Sequence, residues 1–224
     1  MIGLLQLCCV MVGLMTASGS ESPKFDARFE QWFAVQTNLQ SWSANFIQTR
    51  SLRVLSSPLV STGHVWVAAD RFRWELGRPP QTIALRQSNQ LMIIYPKLKR
   101  AEKYALNDVP PGPIRDAMGL LDATMPRDRA AMEAQFRLLS AMETNATLQV
   151  VLEPKSAAAR KFMGEILVAF RTNDFSMAVT ELKFADGSAL RNDFTDTKLN
   201  VTIPAELFEM QVPPGYKTVE PLRQ

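Results

Sequence analysis

Residues 61–75 read S-T-G-H-V-W-V-A-A-D-R-F-R-W-E, two alternating stretches around a short turn. In the second stretch Phe72 and Trp74 fall on one face, and Arg71, Arg73 and Glu75 on the other, because successive strand side chains point to opposite sides. Large aromatics on one face of an antiparallel sheet require a cover. The chain's own core is one cover, and an apolar guest is the other.

The pattern around this hairpin is mostly strand. Residues 24–40 come first and read as an amphipathic helix, with Phe25, Phe29, Trp32, Phe33, Gln36 and Leu39 gathered into one stripe by spacings of three and four. Alternating segments follow at 43–55, 61–68, 71–76, 81–86, 90–95 and 100–106, with Ser88-Asn89 as a hairpin turn. Three prolines in residues 107–113 end that run, since proline continues neither a ladder nor a helix. Residues 114–123 return to helical spacing through Ile114, Ala117, Met118 and Leu121, and a second short helix is expected over 127–135. Strands resume at 136–143, 147–153, 164–171, 176–184 and 190–198, with a polar connector at 155–161. The fold class is therefore α+β, mainly β. A sheet of about ten or eleven antiparallel strands curls rather than staying flat, with helices across its concave side.

The N-terminus resembles a secretory signal peptide. Residues 1–15 are apolar apart from Gln6, and small residues follow at Thr16-Ala17-Ser18-Gly19-Ser20. Residues 1–20 are read as the leader, with cleavage near Ala17 to Gly19, and 21–224 as one domain in the periplasm; an N-terminal membrane anchor is the alternative. Both cysteines, Cys8 and Cys9, fall in the leader, and Leu7 denies Cys8 the small preceding residue of a lipidation site. The rest of the chain then has no thiol for disulfides, catalysis or metal. No later segment approaches the roughly 18 apolar residues of a membrane span.

Catalytic equipment is sparse. The single histidine, His64, builds no Ser-His-Asp set and no two-histidine metal site, and is read as a surface or edge residue. Glu75, Glu102 and Glu165 give no sign of pairing, and no Gly-rich phosphate loop occurs. Twenty-five basic against 22 acidic residues, without a basic stripe, argue against nucleic acid. The chain is read as a non-enzyme without cofactor or metal, and as a monomer. What remains is apolar: eleven methionines, whose flexible thioethers suit surfaces that repack around varied ligands, and the aromatic strand face.

Several short motifs, in order, carry a resemblance. Residues 42–48 read W-S-A-N-F-I-Q, residues 63–67 G-H-V-W-V, and residues 71–75 R-F-R-W-E. Tyr95-Pro96 closes a strand, and Phe208 precedes Val212-Pro213-Pro214-Gly215. Over residues 25–219 this order resembles the LolA family, the periplasmic carriers of outer-membrane lipoproteins. The resemblance implies an unclosed, strongly curved half-barrel with a helical lid and acyl chains held between them. It implies lipid contact for Phe29, Trp32, Phe33, Phe46, Phe72, Trp74, Ile83, Leu85, Met92 and Ile94, and lid positions for Ile114, Ala117, Met118 and Leu121. It further implies acylated lipoproteins or lipids as cargo, an inner-membrane ABC transporter as donor and an outer-membrane acceptor. Other functions of the same fold are a glycolipid carrier or a stress-sensing module. Such sensors usually carry an additional domain, for which 224 residues leave no room.

One departure bears on mechanism. Family members commonly place Arg-Pro just before the F-R-W strand, and that arginine holds the lid shut. Here the place falls on Ala68 or Ala69, and Arg71 is the candidate substitute.

Overall fold

The chain is described by a computed structural model over residues 23–106, 128–144 and 146–221. The expected leader, and the lid residues Ile114, Ala117, Met118 and Leu121, lie outside the described residues.

Helix α1 (Pro23–Asn38) buries Phe29, Trp32 and Phe33, the middle of the predicted stripe. The chain then enters β1 (Ser41–Ser51), β2 (Leu59–Ala68), β3 (Arg71–Leu76), β4 (Thr82–Gln87), β5 (Gln90–Tyr95) and β6 (Arg100–Ala105). A short helix, α2 (Arg129–Gln135), begins at Asp128, whose carboxylate accepts from the Ala131 N–H at 2.7 Å and satisfies an otherwise orphaned donor. Then come β7 (Phe136–Glu143), β8 (Thr147–Pro154), the single turn α3 (Ala157–Arg160), β9 (Met163–Arg171), β10 (Met177–Phe184) and β11 (Ala189–Leu199). The expected polar connector thus contains a helical turn, capped by Ser156.

With β12 (Lys217–Val219), the described strands join one sheet in the order β12-β6-β5-β4-β3-β2-β1-β11-β10-β9-β8-β7. Its two ends do not meet, so the half-barrel is open. The sheet has twelve strands where about ten or eleven were expected. The additional one is β12 (Lys217–Val219), three residues paired parallel to β6, whereas the other pairs are antiparallel. A piece so short, just after Pro213-Pro214-Gly215, has no alternation of its own to betray it.

The two faces are set by register, because directly opposed residues share a face. On the inner face, Trp42, Ala44 and Phe46 of β1 lie opposite Val67, Val65 and Gly63 of β2. These in turn oppose Phe72, Trp74 and Leu76 of β3. On the other side of β1, Phe46 opposes Phe194. The same face continues through Phe170, Val168 and Ile166 of β9 to Leu148, Val150 and Leu152 of β8. Helix α1 packs here, with the Trp32 ring 4.3 Å from that of Phe170. Helix α2 adds Met132 to the same core, and Arg129 reaches Glu30 of α1 at 3.4 Å.

The outer face has a core of its own. Leu85, Met92, Ile94 and Ala101 are buried together, with Ile83, Met210, Val212 and Tyr216 against them. The cover is the segment after β11. A 3-10 turn (Ala205–Phe208) buries Phe208, and the Arg71 guanidinium sits 5.0 Å over its ring. Arg73 donates to the Leu207 carbonyl at 3.2 Å and pairs with Glu75 at 2.5 Å.

Candidate functional site: the inner face of the sheet

The expected contact residues divide between the two faces. Phe46, Phe72 and Trp74 share the inner face, and Phe29, Trp32 and Phe33 join it from α1. Ile83, Leu85, Met92 and Ile94 do not. Leu85 opposes Arg73 and Ile83 opposes Glu75, so all four side chains leave the outer face and are taken up by the tail. The physical reason lies in the run Leu91-Met92-Ile93-Ile94, which is apolar at every position and so conceals its parity. Arg71 is displaced in the same way. Its stacking on Phe208 places it outside, away from any role as an inner-face latch.

The inner face of β3 to β6 is built from other residues. Ala84 opposes Trp74 and Arg86 opposes Phe72. Leu91 opposes Arg86 and Ile93 opposes Ala84. Tyr104, Glu102 and Arg100 oppose Leu91, Ile93 and Tyr95 in turn. Phe72 and Ile93 are half-buried and Leu91 is buried, yet none of the three belongs to either core cluster of the described residues. Nearer β1 the same face is filled: Phe46 packs its ring 4.2 Å from Trp74, and Phe194 meets both edge-on.

Polar groups also lie on this face, and several are held in place. Gln48 donates to Asn192 at 3.0 Å, and Asn192 donates to Thr180 at 3.1 Å, making a ladder across β1, β11 and β10. Asn192 and Thr180 are buried. The indole N–H groups of Trp32 and Trp42 are buried with no acceptor among the described residues. Burying such a donor unpaired costs about 1–3 kcal/mol. Towards β6, Glu102 accepts from the Tyr104 hydroxyl at 2.7 Å and pairs with Arg100 at 2.7 Å. Burial, then donation to Glu102, pushes the Tyr104 phenol up from 10.0 to about 12. Burial and the Glu102 charge also raise Tyr95.

The sign of the Tyr104 effect follows from linkage. The folded state keeps a proton that the unfolded chain gives up, so this contribution is complete below pH 10.0 and is lost as pH rises through about 12. In an absorbance titration of tyrosinate, the last phenol to ionise should be the one lost in Tyr104→Phe. An unchanged final step in that variant would refute the assignment.

Among the described residues the remaining titratable groups are tied mainly to local polar partners. His64 lies in β2, between β1 and β3, and is half-buried rather than on an edge or freely exposed. Its Nδ1 is 2.8 Å from Asn45 Oδ1, and its ring lies 4.0 Å from Trp66. Burial, then the Arg78 charge, holds its pKa below the usual imidazole value. Glu75 is tied to Arg73, Glu102 to Arg100 and Glu165 to Lys183. Among the described residues no group of three His, Cys, Asp or Glu is placed to hold a metal. No described helix is long and apolar enough to cross a membrane.

Residues 37–211 match the model of the family described as outer membrane lipoprotein carrier protein LolA. The chain belongs to the LolA family. No curated protein matches it. Among solved structures it is similar to a LolA superfamily protein from Nitrosomonas europaea, at 10% identity over 82% of this chain and 96% of that one, with a TM-score of 0.41. It is also similar to the lipoprotein LppX of Mycobacterium tuberculosis, at 5% identity over 82% and 99% of the two chains, with a TM-score of 0.44. The MucA/MucB complex of Pseudomonas aeruginosa aligns at 14% identity over 83% of this chain and 61% of that one, with a TM-score of 0.45. Family membership rests on the match over residues 37–211.

Proposed function

We propose that this LolA-family chain is a periplasmic carrier that shelters the acyl chains of lipoproteins, or of lipids, on the inner face of β3 to β6. It passes them from the inner to the outer membrane. The observation that carries this reading is the set Phe72, Leu91 and Ile93, apolar inner-face residues that neither described core absorbs. Moving one methylene out of water is worth about 0.8 kcal/mol, so an acyl chain of about fourteen methylenes gains about 11 kcal/mol. Release into water is then very slow, and cargo leaves only for another apolar site. An inner-membrane ABC transporter as donor and an outer-membrane acceptor meet that requirement.

Polar groups on this side suit the head of such a cargo. A carboxylic ester or amide carbonyl is an acceptor that the Trp32 and Trp42 N–H groups do not find among the described residues, and the Gln48-Asn192-Thr180 ladder offers a second polar contact. The chemistry asked of the protein is binding and transfer without bond breaking, in keeping with the scarcity of reactive side chains.

Mass spectrometry of material bound to the protein recovered from its own cell envelope tests the reading. Fatty-acylated molecules in near-stoichiometric amount are expected. Protein that carries none, and takes up none when offered, would refute the proposal.

A further inference from the structure

The strand directions place five turns at one end of the sheet. β1 ends at Ser51 beside Ala189, the first residue of β11, so the turns 52–58 and 185–188 lie together. Leu76 opposes Thr82, and Tyr95 opposes Arg100, which brings 77–81 and 96–99 to that end. Phe136 opposes Pro154 and Met163 opposes Phe184, which adds 155–162.

Three of these turns share an unusual composition. Arg53 precedes Val54, which is 88% exposed; Lys97 and Lys99 flank Leu98, which is 70% exposed; and Lys161 precedes the exposed Phe162. Leu59 and Val60 are also exposed, on a part of β2 that outruns β3, whose last residue opposes Gly63. Arg78 adds a further exposed cation, and Asp186 is the one acid in the five turns. At the opposite end, the described turns 69–70, 88–89 and 172–176 carry Asp70 and Asp174 and no base. Strands lie about 4.8 Å apart, so the 52–58 turn has the other two apolar–basic turns about 19 Å away along the sheet on either side, four strand spacings off.

We propose that this end of the sheet is a docking surface for an anionic lipid bilayer. Exposed aliphatic and aromatic tips beside cations are what an interface with acidic headgroups rewards: the apolar tip enters the acyl boundary while the base stays at headgroup level. Three such tips set on one rim make a footprint rather than a point contact, and the acidic opposite end fixes the orientation. The surface is distinct from the acyl-binding face, so docking and cargo uptake are separable.

Hydrogen exchange of the full chain, with and without phosphatidylglycerol-containing vesicles, tests this locally. That matters because residues 1–15 are apolar and partition into lipid on their own account. Slowed exchange is expected at 52–58, 96–99 and 155–162, with 69–70 and 88–89 unchanged. The Arg53→Glu/Lys97→Glu double variant should need at least about 100-fold more anionic lipid for the same protection. Val54→Ser/Leu98→Ser should lose protection without changing its salt dependence. Phe72→Glu should dock as the unaltered protein does, whatever it does to cargo. Unprotected turns, equal protection by pure phosphatidylcholine vesicles, or protection by an acidic protein but not by vesicles would each overturn the proposal.

Discussion

Phe72→Glu should weaken binding of a fluorescent fatty-acyl probe by at least about 100-fold while leaving the protein folded. Two losses combine. The half-buried ring stops contributing apolar contact, and a carboxylate placed on the acyl-binding face must be desolvated when a chain covers it. A hundredfold loss corresponds to about 2.7 kcal/mol, within reach of those terms together. The fold should survive because Phe72 is half-buried and belongs to neither described core cluster. Phe72→Leu should keep affinity within about threefold, since it keeps most of the apolar contact. Probe titrations together with thermal unfolding decide the matter: Phe72→Glu binding as tightly as Phe72→Leu would remove this face from the site.

Gly63→Ala should be among the most damaging single changes in the sheet, lowering stability by about 3 kcal/mol or more. A Cβ at this position would lie 2.1 Å from Phe46 Cζ and 2.3 Å from the Glu75 carbonyl oxygen. The first obstacle is a ring locked between Trp74 and Phe194. The second is backbone of the neighbouring strand, which moves only if β2 and β3 separate. For a chain of this length such a loss lowers Tm by about 6–12 °C. Adding Phe46→Leu should recover only part of it, because the carbonyl remains. Thermal melts of the single and double variants provide the check, and full rescue by Phe46→Leu would show the carbonyl contact to be harmless.

That clash also explains one motif that was legible before any coordinates. Gly63 opens the G-H-V-W-V strand because the inner-face ring of Phe46 lies directly across from it. The pattern located β3, β5 and β7 residue for residue: β3 by a plain period of two, β5 by a continuous apolar run, and β7, which is less regular, by the helix before it and the turn after it. Which way the side chains of β4 and β5 point was not legible. A strand buried on both sides loses its period, and only the register with β3 fixes its faces. The missing cue stood elsewhere, in the alternation of Phe208, Met210 and Val212, which reads as one apolar edge of an extended segment that needs a surface to lie on. The inner-face places of Leu91 and Ile93 are concealed by the same run. His64 had no nearby partner in sequence, and its contact with Asn45 comes from β1–β2 pairing.

The segment after β11 leaves the middle of the sheet, crosses behind β3 and β4, and ends as a strand beside β6 at the far margin. It works as a strap. Spreading β1 to β6 apart would peel Phe208, Met210 and Val212 from their seats, so that half keeps a fixed width. Among the described residues no such strap crosses behind the β7 margin, and Leu139 and Met142 stand exposed along it. Were the chain to carry guests of different girth, as proposed, the give would come from the β7 side, with the strapped half serving as the anvil.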